Sequence, residues 1–322
     1  MELINKESKV KNLDSNVLYD TIIIGGGPAG FTAAVYCMRK GLKTAMIVKL
    51  PGGQVSETSS VENYLGFRYI EGFDLVEKFK DQVKQFEIAY SEGKEVIGLE
   101  SNSSQKTVIL SDSTAYKTKT VIIATGCTWR KLGVPGEDEF LGRGVAYCVT
   151  CDAPLFKNKI VTVVGGGNSG VEAALDLARI ARLVKLIVRG DAITADKLLT
   201  DKLSLYENVE IVYDSEINKI KGDKVVSSIV RRNRTTGELI EEPADGIFVE
   251  IGLAPNIKFA DGLLALNKSG EIVIDGNCKT SIAGIYAAGD VTSVPYNQIV
   301  IAAGEGAKAA LSVYHYITNT VS

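Results

Sequence analysis

The chain has 322 residues, 36 of them basic and 39 acidic for a formal net charge of −3, and 45% of its residues are hydrophobic. That length carries two domains of ordinary size, each with its own core and no need of disulfide staples. The near balance of charge excludes general attraction to nucleic acid or to an anionic membrane surface, and no apolar run reaches the ~18 residues of a membrane span. Five cysteines with a single close pair do not form a secreted framework, which favours a reducing compartment.

Residues 1–16 are polar and mixed in charge, with no apolar stretch able to serve as a signal peptide, so a cytoplasmic protein is expected. Thr21 to Ile24 then form a buried strand running into Gly25-Gly26-Gly27-Pro28-Ala29-Gly30. Helical periodicity follows over Phe31 to Lys40, and a second apolar strand over Thr44 to Val48. This is a βαβ opening with a G-x-G-x-x-G turn. Its first Gly allows the turn, its second lets backbone approach a pyrophosphate, and its third lets helix pack on strand. Further on, Val121 to Gly126 reads as a strand ending in the small residues Ala124, Thr125 and Gly126, where backbone can pass close to a cofactor.

Cys148-Val149-Thr150-Cys151-Asp152 comes next. C-x-x-C spacing brings two sulfurs within disulfide reach, and the start of a helix would favour the thiolate needed for exchange. Asp152 is placed to move protons as a dithiol opens and closes, and burial would raise its pKa. The rival reading is half of a zinc site; it lacks further ligands, because Cys37, Cys127 and Cys278 are isolated and His315 is the sole histidine. Those three cysteines read as packing residues, and His315 as a surface or core residue of a helix over Ala302 to Ile317.

The first pattern then repeats. Val161 to Val164 enter Gly165-Gly166-Gly167-Asn168-Ser169-Gly170, followed by a helix over Val171 to Ala181 and a strand over Val184 to Val188. Two such sites in one chain suggest a flavin and a nicotinamide nucleotide. Arg231, Arg232 and Arg234 lie between a strand-like Val225 to Val230 and the turn-like Thr235-Thr236-Gly237, which reads as a solvated hairpin rather than a phosphate site. Gly284 to Asp290 is a last strand, ending in an acid suited to ribityl or ribose hydroxyls.

In the order of these marks, together with Gly52-Gly53-Gln54, Val61-Glu62-Asn63 and Tyr296-Asn297-Gln298-Ile299, the chain resembles the low-molecular-weight thioredoxin reductases. It is nearly as similar to the flavoprotein of the alkyl hydroperoxide reductase system without its extra N-terminal domains. The resemblance implies an α/β fold of two Rossmann-like dinucleotide-binding domains. A discontinuous FAD domain would span 1–126 and 252–322, and an inserted NAD(P)-binding-like domain at 127–251 would carry the cysteines.

The resemblance further implies that Gly25, Gly27, Pro28, Ala29 and Gly30 hold the FAD pyrophosphate. Gly53, Gln54, Asn63, Ala124, Thr125, Gly126, Gly289 and Asp290 would meet other parts of FAD, and Gln298 and Ile299 the isoalloxazine. Cys151 would face the flavin, Cys148 would attack the partner's disulfide, and Asp152 would be the acid. The partner would be thioredoxin or a thioredoxin-like small dithiol protein, and the assembly a homodimer. Disulfide and nicotinamide must reach the same flavin, so the inserted domain would turn about connections near Cys127 and Gly252.

The nicotinamide site departs from the pattern. Gly165, Gly167, Asn168 and Ser169 are in place, but where NADPH-using members carry His-Arg-Arg and a further Arg, this chain has Val188, Arg189, Gly190 and Thr194. The expected donor is NADPH held through Arg189, with NADH and reduced ferredoxin as alternatives. A peroxiredoxin or glutaredoxin-like protein reductase and a flavin dithiol oxidase are the alternative activities.

Overall fold

Thr21-Ile22-Ile23-Ile24 is apolar on both faces, as suits a strand covered on each side. In the computed structural model, which describes residues 10–58, 61–102 and 105–320, it lies in β1 (Leu18–Ile24), followed by α1 (Pro28–Arg39) and β2 (Thr44–Val48). Residues 1–9 of the polar opening stretch are outside the described residues. There follow α2 (Gly72–Lys84), β3 (Ala89–Glu92), β4 (Val96–Ser101), β5 (Lys106–Leu110), β6 (Ala115–Ile123) and β7 (Cys127–Trp129).

The chain continues with β8 (Val145–Ala146), the one-turn α3 (Val149–Asp152), β9 (Ile160–Val164), α4 (Asn168–Ala178), β10 (Leu183–Ile187), α5 (Lys197–Leu203) and β11 (Val209–Val212). Three strands, β12 (Ser215–Gly222), β13 (Val226–Asn233) and β14 (Leu239–Pro243), precede β15 (Gly246–Val249) and β16 (Leu253–Pro255). The last elements are β17 (Ile285–Ala287) and α6 (Ile299–Thr320). Among the described residues no helix is long and apolar enough to cross a membrane.

The chain divides into two compact units, Met1–Thr128 with Ala254–Ser322, and Trp129–Leu253. In the first, β3-β2-β1-β6 run parallel, with Ile22 opposite Ala45 on one side and Val121 on the other. The long β6 serves two neighbours: its first half takes antiparallel β5 at Lys117 and Thr118, and its last three residues take parallel β17. Side chains alternate across this sheet. Ile23, Met46 and Ile122 pack under Phe31 and Ala34 of α1 and Ala310 and Val313 of α6, whereas Ile22, Ile24, Ile47 and Ile123 meet Leu99 and Val108 on the other face.

The second unit has a parallel sheet in the order β11-β10-β9-β15-β8. One face is covered by α4, where Val171, Ala174 and Leu177 meet Val161 and Val163. The other is covered by the antiparallel β12-β13-β14, through Ile217, Ile220 and Ile229 against Val164, Ile187 and Ile247.

The helices after both glycine turns begin at Pro28 and Asn168, three residues ahead of where apolar periodicity sets in. Their first turns are built of small and polar residues within the motif itself, so no apolar stripe announces them. The last helix likewise runs beyond the expected 302–317 on both sides, and β3, β4 and β5 are strands that the sequence pattern does not mark.

Candidate functional site

The first glycine turn joins β1 to α1. Gly25 has φ +116°, and a Cβ there would collide with the Ala124 carbonyl, so only glycine allows β1 and β6 to end this close together. A Cβ on Gly30 would strike the Gly25 carbonyl oxygen, and one on Gly306 of α6 would strike that of Ala29. Gly27 differs, because a Cβ there meets nothing within 4 Å. The α1 N-terminus has no side-chain cap, leaving backbone N–H donors and the positive end of the helix facing that open space.

Around this turn, Gln54 Nε2 donates to the Cys127 carbonyl at 2.5 Å, and Asn63 Nδ2 donates to Gln298 Oε1 at 3.1 Å. The latter bond joins segments from opposite ends of the chain just ahead of Ile299, the first residue of α6. The buried Thr125 Oγ1 has no hydrogen-bond partner. Gly289, at φ +76°, turns β17 away beside the Ala29 Cβ, and burial pushes the Asp290 carboxyl up to about 6. An uncapped helix end, an open cradle at Gly27, an orphaned hydroxyl and a desolvated acid suit a dinucleotide with anionic and hydroxyl groups. The residues present therefore fit FAD, with Ala124 and Gly126 directly after β6 and Gly53 next to Gln54, whose amide reaches the Cys127 carbonyl.

In the second unit Cys148 and Cys151 form a disulfide with Cα atoms 5.3 Å apart. Cys148 is half-buried at the N-cap of α3, and Cys151 is exposed. The helix expected here is a single turn, with the Cys148 carbonyl accepting from Cys151 N–H at 3.3 Å and from Asp152 N–H at 3.0 Å. Cys148 thus stands at the start of a helix as expected, although so short a helix contributes little dipole to a thiolate. The approach to Cys148 is held by the buried Glu137, which accepts from the N–H groups of Leu132 and Gly133 and from the Tyr147 hydroxyl at 2.7 Å. Burial raises the Asp152 pKa, so its carboxyl keeps a proton to higher pH than an exposed aspartate.

The second glycine turn repeats the first: a Cβ on Gly165 would strike the Glu250 carbonyl, one on Gly170 would strike that of Gly165, and one on Gly167 meets open space. The residues thus also fit a nicotinamide dinucleotide. Asn168 and the 190–196 segment are latched together: Asn168 Oδ1 accepts from Asp196 N–H at 2.8 Å, its Nδ2 donates to Asp196 Oδ2, and Thr194 N–H donates to the Gly166 carbonyl. Ser169 is exposed in the first turn of α4, and Arg189 follows β10.

Two features escape a reading of the sequence alone. Glu250 directly follows β15, the neighbour of β9, and burial followed by the charge of Glu172 pushes its carboxyl up to about 7. An acid directly after the apolar Gly246–Val249 is the available signal. Arg232 and Arg234, expected only to be solvated, both approach Glu216 together with Arg189. Arg231 instead pairs with Glu242 at 3.0 Å, shielded from solvent. Cys37, Cys127 and Cys278 are buried, and burial raises each thiol to about 12; His315 is exposed on α6.

Known proteins bring these observations together. The chain is 42% identical over 306 residues to an alkyl hydroperoxide reductase subunit of Xanthomonas campestris pv. phaseoli, covering 94% of this chain and 58% of that protein. It is 41% identical over 299 residues to an NADH dehydrogenase of Bacillus subtilis (strain 168), covering 93% of this chain and 58% of that one. The chain thus spans about three fifths of the length of these curated relatives. The crystal structure of thioredoxin reductase from Streptococcus pyogenes MGAS5005 superposes with a TM-score of 0.89 at 39% identity, covering 95% of this chain and 100% of that one. Residues 19–306 match the pyridine nucleotide-disulphide oxidoreductase family, and the chain belongs to that family.

Proposed function

We propose that this chain is an FAD-containing disulfide reductase that passes electrons from a nicotinamide nucleotide to the Cys148–Cys151 pair and on to thioredoxin or a similar small dithiol protein. The observation that carries the reading is the disulfide itself, beside a carboxyl whose burial keeps it protonated to higher pH. FAD supplies the two-electron relay between a hydride donor and a disulfide. Gly25 to Gly30 and the N-terminus of α1 would hold its pyrophosphate, and Asp290 and Thr125 would accept and donate at its hydroxyls.

Opening the Cys148–Cys151 bond takes two electrons and two protons and leaves two thiols. Asp152 delivers a proton to the departing sulfur. Cys148 then gives up its proton and attacks, as the thiolate, one sulfur of the partner's disulfide, expelling a partner thiolate that takes up a proton; Cys151 loses its proton in turn, attacks the Cys148 sulfur, releases the second partner thiol and restores the pair, so that both protons end on the two partner thiols. Cys151 would be the sulfur nearer FAD, and the unit of residues 129–253 would turn so that the nicotinamide and the disulfide could reach it in alternation. The same proposal includes a cytoplasmic homodimer.

A second reading has a specific support: the curated relatives described above include an alkyl hydroperoxide reductase subunit. On that reading the partner dithiol belongs to a peroxidase system, and NADH becomes a competing donor. Anaerobic titration of the yellow protein with NADPH, NADH and reduced ferredoxin, following flavin bleaching, identifies the donor. Turnover is then assayed with thioredoxin and with a peroxiredoxin. Disulfide reduction that survives Cys148→Ser and Cys151→Ser together would overturn the proposal.

A further inference from the structure

We propose that Arg189, Arg232 and Arg234, gathered about Glu216, form a subsite for the 2′-phosphate of NADPH, with Arg234 contributed by the β13–β14 hairpin in place of the cations missing after β10. This deepens the proposed function and rests on its reading that the second unit binds a nicotinamide dinucleotide.

In a βαβ dinucleotide site the residue ending the second strand, about 20 residues after the glycine turn, addresses the ribose 2′ position; an acid there takes the hydroxyls, and an arginine nearby takes a phosphate. Here that strand is β10, and Val188 just beyond it is 3% exposed and apolar, so no carboxylate stands at that point. Arg189 follows directly. The Arg234 guanidinium donates to the Arg189 carbonyl at 2.8 Å, which fixes a second cation at the same strand end although the two residues are far apart in sequence.

The hairpin is tied there by backbone as well. Ser215 N–H donates to the Val188 carbonyl at 3.1 Å, Asp214 N–H to that of Gly190 at 2.9 Å, and Arg234 N–H to that of Asp214 at 2.7 Å. The placement of Arg234 therefore follows from the register of the antiparallel sheet and not from a flexible side chain alone.

Glu216 is the common neighbour of the guanidiniums, at 3.7 Å from Arg189, 3.9 Å from Arg232 and 3.7 Å from Arg234. These separations exceed hydrogen-bond length, and all three arginines are substantially exposed, so the pairs themselves add little stability. Their N–H groups stay available to a stronger, multidentate acceptor, and a phosphate monoester offers three oxygens to planar guanidinium forks. Glu216, with Asp214 two residues before it, offsets the positive charge and disfavours anions lacking that geometry. Fork geometry, rather than net charge, sets the selectivity.

The test uses the flavin-loaded full chain in calorimetric titrations with two adenosine probes, 2′,5′-ADP and 5′-AMP, which differ only in the 2′-phosphate. The expected result is at least about tenfold tighter binding of 2′,5′-ADP. Arg189→Ala and Arg234→Ala should each remove most of that preference while leaving 5′-AMP affinity unchanged, and Arg234→Lys should restore only part of it. Circular dichroism establishes that each variant is folded. Equal binding of the two probes to the parent protein, or an unchanged preference in Arg234→Ala, overturns the proposal while leaving dinucleotide binding intact. Weaker 5′-AMP binding in Glu216→Gln also overturns it, because Glu216 would then be holding ribose hydroxyls. If neither probe, NADH nor NADPH binds the parent protein, both this subsite and the nicotinamide reading behind it fall.

Discussion

The two glycine turns share a backbone and differ in what surrounds them. At the first, the strand next to β1 ends in Ala124-Thr125-Gly126, and the acid facing the site, Asp290, arrives from residues near the far end of the sequence. At the second, the strand next to β9 leads into Glu250, and the β10 end gathers arginines from a hairpin. On the proposed reading the glycines would set where a pyrophosphate is held, and the neighbouring strand ends which nucleotide is held and what it does. Fold and chemistry are therefore separable by substitution.

The largest effect separates chemistry from flavin binding. Cys148→Ser or Cys151→Ser should lower disulfide reduction by at least about 1000-fold, while flavin content and flavin bleaching by the nicotinamide donor are unchanged. Both are read in one preparation by absorbance and a partner-reduction assay. Asp152→Asn should cost about 100-fold in turnover. The sign of its pH dependence follows from the direction of its shift. An acid raised by burial donates a proton only below its own pKa, so the parent rate should fall as pH rises, and the rate of the Asp152→Asn variant should be flat over the same range.

A second pair of substitutions compares the turns directly. Gly30→Ala drives a Cβ into the Gly25 carbonyl and should cost about 2–4 kcal/mol by denaturant unfolding, with loss of flavin. Gly27→Ala has open space and an extended φ of −84°. It should change the stability of the flavin-free protein by no more than about 1 kcal/mol and yet weaken FAD binding. Gly167→Ala is its counterpart, with φ −89° and the same open space. It should leave the flavin in place and weaken the nicotinamide nucleotide only. If Gly167→Ala loses flavin, the assignment of turns to cofactors is wrong.

What the sequence disclosed follows the same division. Strand–glycine–helix units, the C-x-x-C pair and the late acid were legible, because each depends on residues adjacent in the chain. The α/β fold followed, since continuous apolar strands such as Ile22-Ile23-Ile24 require cover on both faces. The arginine cluster was not legible: Arg234 reaches Arg189 only through the register of β12 and β13, and in one dimension its run looks like a solvated hairpin. That α3 is a single turn is signalled by Pro154, which cannot sit inside a continuing helix and falls at the start of the 3-10 turn Ala153–Phe156. Glu250 reads in sequence as an ordinary polar residue after a strand; its burial against the second glycine turn comes from the parallel pairing of β15 with β9.

A last comparison concerns the two acids at the strand ends. In the folded protein Asp290 titrates at about 6 and Glu250 at about 7, both above the values of an unfolded chain. A carboxyl raised on folding binds its proton more tightly in the native state. Its contribution is fully present below the unfolded pKa of about 4 and is lost as pH rises through the folded value. Flavin-free protein should therefore lose up to about 4 kcal/mol of stability between pH 5 and pH 8, measured by denaturant unfolding across that range. Asp290→Asn should remove the part of the loss that is complete near pH 6, and Glu250→Gln the part that continues to near pH 7. Glu172→Gln should shift the Glu250 portion to lower pH, because it removes the charge that adds to the burial effect. A stability profile that stays flat in the parent protein would mean that both carboxyls are better solvated than their strand-end positions imply. The two turns would then differ in their cations alone.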